Sequence, residues 1–479
     1  MENIKMSKRL ILLALVVSVG LASCKTHKDM VRPEVDAAAL YRSSDSNLGA
    51  SPATGDTTTI ADIPWKEYFG DAQLQALIAE GLEKNYNLQV AYGRIKQAEA
   101  SLSMARGANL PTVAIMAQGS GTRISNGNDG TKVLGYNTST SPVMQLGFTA
   151  SWEMNLWGKL GSQTRAKYAS FLASYEYRNL IQSNVIASIA KSYYTLMALD
   201  EQLRITKETV ELFKQSAQTM QLLKDAGQTN GAAVEQSNAL LYNTQLSIPV
   251  LESSIRQQEN AICVLLGRTP GPITRASIAS QSGSPRLETG VPVQMMARRA
   301  DVKQAEMAFC SAYELTKAAQ ASLYPTFTLS TASIGYASGH LSDFFNPANI
   351  AATIAAGISQ PLLYKKQLKG NVVIAKAQQA EALLNFKSTV LLAGQEVSDI
   401  LFGYQTALNK DELRNKQIQA LTKAVDFTQE LLKAGEATYT EVLTAQQSLL
   451  SAQLSQVNDR LEQLNYGVSL YKALGGGVR

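Results

Sequence analysis

Between Leu160 and Ala226 the chain has no proline and a single glycine, Gly161. Leu, Ile, Ala, Tyr and Phe recur through this stretch at intervals of three and four, alternating with Gln, Lys, Ser and Glu, which is the period of an amphipathic helix. At 1.5 Å per residue it would reach about 100 Å if continuous. A helix that long without internal caps needs support along its whole side, so it belongs to a coiled coil or to the wall of a helical tube. A second such stretch is predicted from about Leu368 to Ala434, with shorter helices from Ala232 to Leu266 and from Tyr439 to Leu474. The high Ala and Gln content suits close antiparallel packing of two-faced helices, where an ordinary bundle core would need bulkier residues.

The two long stretches belong to a repeat of roughly 210 residues. Ala108-Asn109-Leu110-Pro111-Thr112 returns as Ser322-Leu323-Tyr324-Pro325-Thr326, and Leu223-Lys224-Asp225-Ala226-Gly227 returns, one residue shorter, as Leu432-Lys433-Ala434-Gly435. Each half is predicted to run helix, two short strands, two long helices, with the first helix spanning about Ala72 to Arg106. The expected organisation is a first repeat over 65–267, a linker over 268–297 and a second repeat over 298–479.

The strands carry a different period. Met144, Leu146, Phe148, Ala150 and Trp152 alternate with Val143, Gln145, Gly147, Thr149 and Ser151, and Ile350 to Ile358 alternate likewise with Ala351 to Ser359. One face is apolar and the other small or polar for about ten residues, as in a barrel strand facing lipid, although a soluble sandwich edge gives the same alternation. The strands are expected at about 111–124, 142–152, 325–336 and 350–359, the first and third less cleanly patterned. Polar loops, Ser125 to Ser141 and Ala337 to Asn349, lie between the partners. Tyr136, Trp152, Trp157, Tyr324, Tyr336, Phe344 and Phe345 fall near strand ends, as an interfacial girdle would. Four strands cannot close a barrel, and an open edge is not tolerated in hydrocarbon. The smallest membrane barrels have eight strands, so the chain needs copies of itself, and three copies supply twelve strands around a wide lumen.

Composition removes other classes. The formal charge of +5 falls to +3 without residues 1–23, which include Glu2, Lys5, Lys8 and Arg9, and this is too mild to argue for nucleic acid. His27 and His340 are the two histidines, which sets aside His-based metal sites and nucleophile activation. Gly158-Lys159 is not a phosphate loop, since Glu153 and Leu160 occupy its glycine and Ser/Thr places. Neither Cys263 nor Cys310 sits in a paired spacing, and each lies on a helix-like segment, so both read as small apolar residues rather than a disulfide. No catalytic residues, cofactor or metal are expected, and the chain is not read as an enzyme.

The N-terminus reads as an export signal over residues 1–23. Lys5, Lys8 and Arg9 precede an apolar run from Leu10 to Gly20 that is too short to span a bilayer. Leu21-Ala22-Ser23-Cys24 resembles the bacterial lipobox, which makes Cys24 the lipidation site and residues 24–64 an extended tether.

The ordered pieces resemble a known family, the TolC-like outer-membrane efflux ducts and within them the OprM/NodT-type lipoproteins. They are Trp65 with Tyr68-Phe69-Gly70-Asp71, Asn85-Tyr86-Asn87-Leu88 leading to Arg94, Trp152 to Lys159, Leu265-Leu266-Gly267, and Leu461 to Gly477. The resemblance implies a mainly α chain with a transmembrane β portion. It implies a homotrimer whose three protomers build a 12-stranded β-barrel in the outer-membrane lipid and a helical tunnel in the periplasm. It implies a passive export duct for small molecules, completed by a periplasmic adaptor and an inner-membrane pump, often of the resistance-nodulation-division class. A periplasmic coiled-coil adaptor or structural lipoprotein is the alternative; an adaptor would show one hairpin set between β-rich modules, where this chain has two.

In that family the closable end is the periplasmic tip, here the turns Asp225 to Glu235 and Ala434 to Thr444. Gly227 and Gly435 suit the left-handed residue after a helix. Gly227, Thr229, Gly231, Gly435, Thr438 and Tyr439 are the expected adaptor-docking positions. Relatives commonly carry Leu-Asp-Ala-Gln-Arg after the second tip; here the run is Leu443-Thr444-Ala445-Gln446-Gln447. Thr444 cannot form an acidic ring, so Asp225, Glu436 or Glu441 would have to supply any charged constriction. Arg298-Arg299-Ala300-Asp301 has Ala300 where the family usually has proline, and Asp301 with Gln304 is expected to cap the helix that follows.

Overall fold

The computed structural model describes residues 63–122, 141–281, 298–340, 342–360 and 365–478. Helices α1 (Trp65–Tyr68), α2 (Ala72–Lys84) and α3 (Tyr86–Gly107) lead into strands β1 (Thr112–Thr122) and β2 (Ser141–Met154). The long helix α4 (Lys159–Asp225) and its return α5 (Gly231–Leu265) complete the first half. The second half follows the same order: α6 (Ala300–Ala321), β3 (Thr326–Ser338), β4 (Ile350–Ser359), α7 (Lys365–Ala434) and α8 (Tyr439–Ala473). Among the described residues no helix is long and apolar enough to cross a membrane.

The first helix is not continuous. Asn85, with ψ 124°, ends α2 and caps α3, because its side-chain oxygen accepts from the Leu88 N–H while its amide donates 2.7 Å to the Leu265 carbonyl. An interior Asn offers the backbone an alternative partner, and a distant chain segment fixes that choice. The helix of the second repeat also starts differently from the sequence reading. Arg299 is its cap residue, and Asp301 lies in the first turn with its carboxylate held by Arg299 and the Val302 N–H rather than by Gln304.

The four strands form one antiparallel meander, β1-β2-β3-β4, so the β2–β3 pairing joins the two halves. Ile115, Phe148, Ile334 and Ala352 stand in one cross-strand row, and Val113, Ala150, Ala332 and Ile354 in the next. Gln118, Gln145 and Ala337 stand in a row of the opposite face. β3 carries one extra residue between Leu329 and Thr331, seen against both neighbours. Phe327 and Leu329 below this bulge therefore share a face with Ala332, Ile334 and Tyr336 above it, which explains why the alternation of β3 is blurred in the sequence.

The core lies where the middle of α4 meets α1, α2, the end of α5 and the end of α8. Leu74, Ile78, Ile189, Tyr193, Leu196, Ile262 and Leu266 are fully enclosed there. Each large apolar side chain so buried contributes about 1.5–3 kcal/mol. Tyr68 stacks on Tyr471 at 4.2 Å and donates to the Gly467 carbonyl at 2.8 Å, tying the first helix to the last. Burial pushes the Tyr471 hydroxyl up to about 12. Arg275 anchors the segment after α5 by gripping Asp200 on α4 and Glu259 on α5. Cys263 is buried, its thiol donating to the Gly271 carbonyl, and Cys310 is partly buried.

Candidate functional site: the sheet faces and the hairpin tips

One face of the meander is aliphatic and uncovered within the protomer. Val113, Ile115, Phe148, Ile334, Ile354 and Ile358 are all more than half exposed, Ile354 by 80%. The facing direction carries Thr, Ser, Gln and Gly. At mid-height Gly147 opposes Gly335, and a β-carbon built on either would collide with the other strand's backbone. Aromatic groups close both ends. Trp157 stacks on Tyr324 at 5.1 Å and donates to the Pro325 carbonyl, while Tyr336, Phe344 and Phe345 cluster beyond the far end. From Tyr324 to Tyr336 an extended strand covers roughly 40 Å, and at the tilt of about 45° usual in barrels this spans roughly 28 Å, close to the hydrocarbon thickness of a bilayer. Tyr136 and the loop 125–140 lie outside the described residues, as does Cys24. Among the described residues, β1 and β4 leave their outer edges unpaired.

At the opposite ends of the long helices sit two matching turns. Gly227 and Gly435 have φ of 73° and 75°. Gln228 N–H bonds the Leu223 carbonyl and Gly227 N–H the Lys224 carbonyl, and Glu436 and Gly435 repeat the pattern on Leu431 and Leu432. This pair of bonds satisfies the last carbonyls of a helix and needs a left-handed residue, which glycine supplies without strain. The return helices are capped on both sides. Asn230 accepts from the Ala233 N–H at 3.0 Å, while Thr438 and Glu441 form a reciprocal capping box.

The predicted tip residues divide by what they touch. Glu436 is exposed on the second turn, Thr229 is partly buried on the first, and Gly231 opens α5. Asp225, the last residue of α4, accepts from Gln221 at 2.8 Å. The Glu441 carboxylate is engaged with the Thr438 N–H, and the Thr444 hydroxyl bonds back to the Thr440 carbonyl. Tyr439 differs from the rest: it is buried, and its hydroxyl lies 3.1 Å from Ser237 on α5. Burial pushes that hydroxyl up, and hydrogen bonds to Ser237 and Ser216 pull the other way. With Met220, Val234 and Val442 it forms the small core that locks one hairpin to the other. Its side chain is thus spent on internal packing, a role that pattern reading could have found from the match between Tyr439-x-x-Val442 and Gly231-x-x-Val234.

Above this core a cavity of about 510 Å³ opens between α4 and the α7–α8 hairpin. Phe213, Leu223, Leu432, Leu450 and Gln446 line it, and the Gln446 carbonyl oxygen is buried there without a partner. The seam between the hairpins therefore holds open space next to this locking cluster. Among the described residues no group of three or more His, Cys, Asp or Glu is placed to hold a metal ion.

Comparison with known proteins follows the same lines. The family model described as outer membrane efflux protein matches residues 77–268 and 291–476. The cation efflux system protein CusC of Escherichia coli is 26% identical over 473 residues, covering 97% of this chain and 99% of the relative. The pyoverdine export outer membrane protein OpmQ of Pseudomonas putida is 29% identical over 434 residues, 89% of this chain and 91% of the relative. The solved structure of the outer-membrane channel OprN, at 23% identity, shares the fold with a TM-score of 0.83 over 95% of this chain and 100% of its own. With two hairpin sets under a meander of amphipathic strands, and family matches over both repeats, this chain belongs to the outer membrane efflux protein family.

Proposed function

We propose that three copies of the chain form a passive duct. Their twelve strands close a barrel in the outer membrane, with the aliphatic face toward lipid and the Thr/Ser/Gln face toward a wet lumen, and their long helices continue that lumen through the periplasm. The observation that carries the reading is the meander itself: an aliphatic face of membrane height with both edges unpaired, which a bilayer tolerates only when the sheet is closed. Transport through it makes no covalent change. A polar, wide lumen selects little, which agrees with relatives named for cargos as different as cations and pyoverdine. The cargo is set by an inner-membrane pump, of the resistance-nodulation-division class in this proposal, and delivered through a periplasmic adaptor.

The tip is the closable end. Gly227, Thr229, Gly231, Gly435 and Thr438 present the turn backbones to the adaptor, and Tyr439 governs how far the two hairpins separate. Of the gate candidates, Glu436 is the carboxylate left on the turn surface, while Asp225, Glu441 and Thr444 serve local bonds. Lipid on Cys24 supplements the barrel as an anchor. The mass of the detergent-extracted protein, corrected for bound detergent, tests the reading: a trimer is expected, and a monomer that stays soluble once delipidated would overturn it. A second measurement separates the sheet faces. Ile354→Lys should block outer-membrane assembly, since a lysine facing mid-bilayer costs about 2–4 kcal/mol, whereas Thr353→Lys on the other face should assemble.

A further inference from the structure

The cavity above the tip core is formed within one protomer, between α4 of the first hairpin and α7 and α8 of the second. Its lining runs from Thr209 to Leu223 on α4, a rise of about 21 Å, so it is a slot along the seam. A volume of about 510 Å³ falls in the range of about 300–1,000 Å³ usual for small-molecule sites. A dry cavity of about 150 Å³ accepts one benzene ring, so two fused rings with a substituent fit here.

The polar groups on its walls point to one kind of ligand. The Gln446 carbonyl oxygen is buried with no partner, and a buried acceptor without a donor is a standing cost. The Thr209 and Thr219 hydroxyls also line the slot. Each spends its proton on its own helix, donating to the Ile205 carbonyl at 2.9 Å and the Gln215 carbonyl at 3.0 Å respectively. A hydroxyl that has donated can still accept. Ser216 is taken up by Tyr439. The other glutamines of the lining can donate or accept and so exclude nothing. Among the described lining residues no carboxylate is present and Lys433 carries the charge, which disfavours a cation. Oxygen acceptors set between apolar walls disfavour an anion in turn.

We propose that this slot is a binding site for a neutral, mostly apolar small molecule carrying a hydroxyl or N–H donor. The donor sits on the Gln446 carbonyl oxygen and the apolar body lies against Phe213, Leu432 and Leu450. Tyr439 and Val442, members of the core that locks the hairpins, also line the slot. A bound molecule touches α4 on one side and α7 and α8 on the other, so it adds contact across the seam that separation of the hairpins breaks. Binding and separation therefore oppose each other, by as much as the ligand's affinity differs between joined and separated hairpins. The site needs one protomer and stands independently of the trimeric reading.

The protein in lipid nanodiscs tests the site, with 1-naphthol as the donor probe and 1-fluoronaphthalene as a near-isostere without a donor. Equilibrium dialysis is expected to find one saturable 1-naphthol site per protomer, about tenfold tighter than for 1-fluoronaphthalene, the margin of one buried hydrogen bond. Leu450→Trp fills the slot and should reduce both probes to the background of empty discs. Gln446→Leu, close to the parent in volume, should keep 1-fluoronaphthalene binding and shrink the preference for 1-naphthol to less than about threefold. It also carries the test should Leu450→Trp fail to assemble. Hydrogen exchange of α8 from Tyr439 to Leu450 should slow when 1-naphthol is added to the parent and stay unchanged in Leu450→Trp. Binding indistinguishable from empty discs, or a preference for 1-naphthol that survives Gln446→Leu, overturns the site. Saturable binding without slower exchange keeps the site and overturns its hold on the hairpins.

Discussion

The two long helices are copies of one another in unlike surroundings. α4 buries 21 of its 67 residues within the protomer, and α7 buries 8 of its 70. At matched positions the contrast is larger. Tyr193 on α4 is fully enclosed, donating to Asp71 at 2.8 Å and accepting from the Ala276 N–H, while its counterpart Phe402 on α7 is 64% exposed. A repeated sequence thus gives two helices of the same kind, and chain connectivity decides which of them is satisfied inside one molecule. The first has a repeat on each side. The second packs on a repeat at one side, and its remaining apolar surface is left uncovered within the protomer.

The largest test of this contrast is a matched pair of truncations. Tyr193→Ala should cost the protomer about 3–5 kcal/mol in denaturant unfolding. Phe402→Ala should change protomer stability by no more than about 0.5 kcal/mol and instead raise the concentration at which extracted oligomers dissociate. Equal losses at the two positions would erase the distinction.

A second test bears on the junction that α7 does make. Arg299 holds Asp301, Glu396 and the Ala473 carbonyl together, fastening α6 to α7 and α8. Burial pushes the Asp301 carboxyl up, but the hydrogen bonds and charge of Arg299 outweigh it and hold the group below its ordinary 3.8. A carboxyl with a depressed folded value contributes fully above its unfolded value and loses that contribution as pH falls through the folded one. Asp301→Asn should therefore cost about 1.5–3 kcal/mol near neutrality, with the gap between variant and parent shrinking as the pH falls below the group's ordinary 3.8 in acid unfolding series. A constant gap down to pH 2 would mean that the ion pair is not what holds the helices.

The tips are where the repeats should agree. Gly227→Ala and Gly435→Ala each force a side chain into the left-handed region, with open space around the new β-carbon, and each should cost about 1 kcal/mol in thermal unfolding. Unequal costs would show that the turns meet different surroundings once assembled. Smallest of all is the cap. Glu441→Ala should lower stability by about 0.5–1 kcal/mol while Glu441→Gln, which keeps the reciprocal bond, stays near the parent. If Glu441→Gln alters single-channel conductance in planar bilayers as much as Glu441→Ala, its charge acts in the lumen and the capping role is secondary.

Much of the architecture could be read from the chain because it depends on local pattern. A proline-free stretch with a 3.6 period, a dyad alternation over ten residues and a doubled Leu-Pro or Tyr-Pro signal specify helix, strand and repeat whatever surrounds them. What escaped the sequence depends on contacts between distant segments. Asn85 breaks a helix because the Leu265 carbonyl is there to receive its amide. Arg275 meets Asp200 and Glu259 across a fold that no spacing announces. Asp301 was expected to act as a cap and is recruited by its neighbour Arg299 instead. At the tips the glycines and caps were legible from their types, whereas the inward turn of Tyr439 follows from Ser237 and Val234 lying on the partner hairpin.

The extra residue in β3 has a consequence of its own. It acts as a frameshift in a two-letter code, because each strand position is read as either oil or water and one inserted letter exchanges the reading of everything on one side. The sequence of β3 is written in two frames, Phe327 and Leu329 in one and Ala332, Ile334 and Tyr336 in the other, and the bulge splices them into a single message. Removing Ser330 would leave the composition of the strand almost untouched. It would also turn the aromatic end of the strand toward water while its far end still faced oil, a chain garbled by one deleted letter.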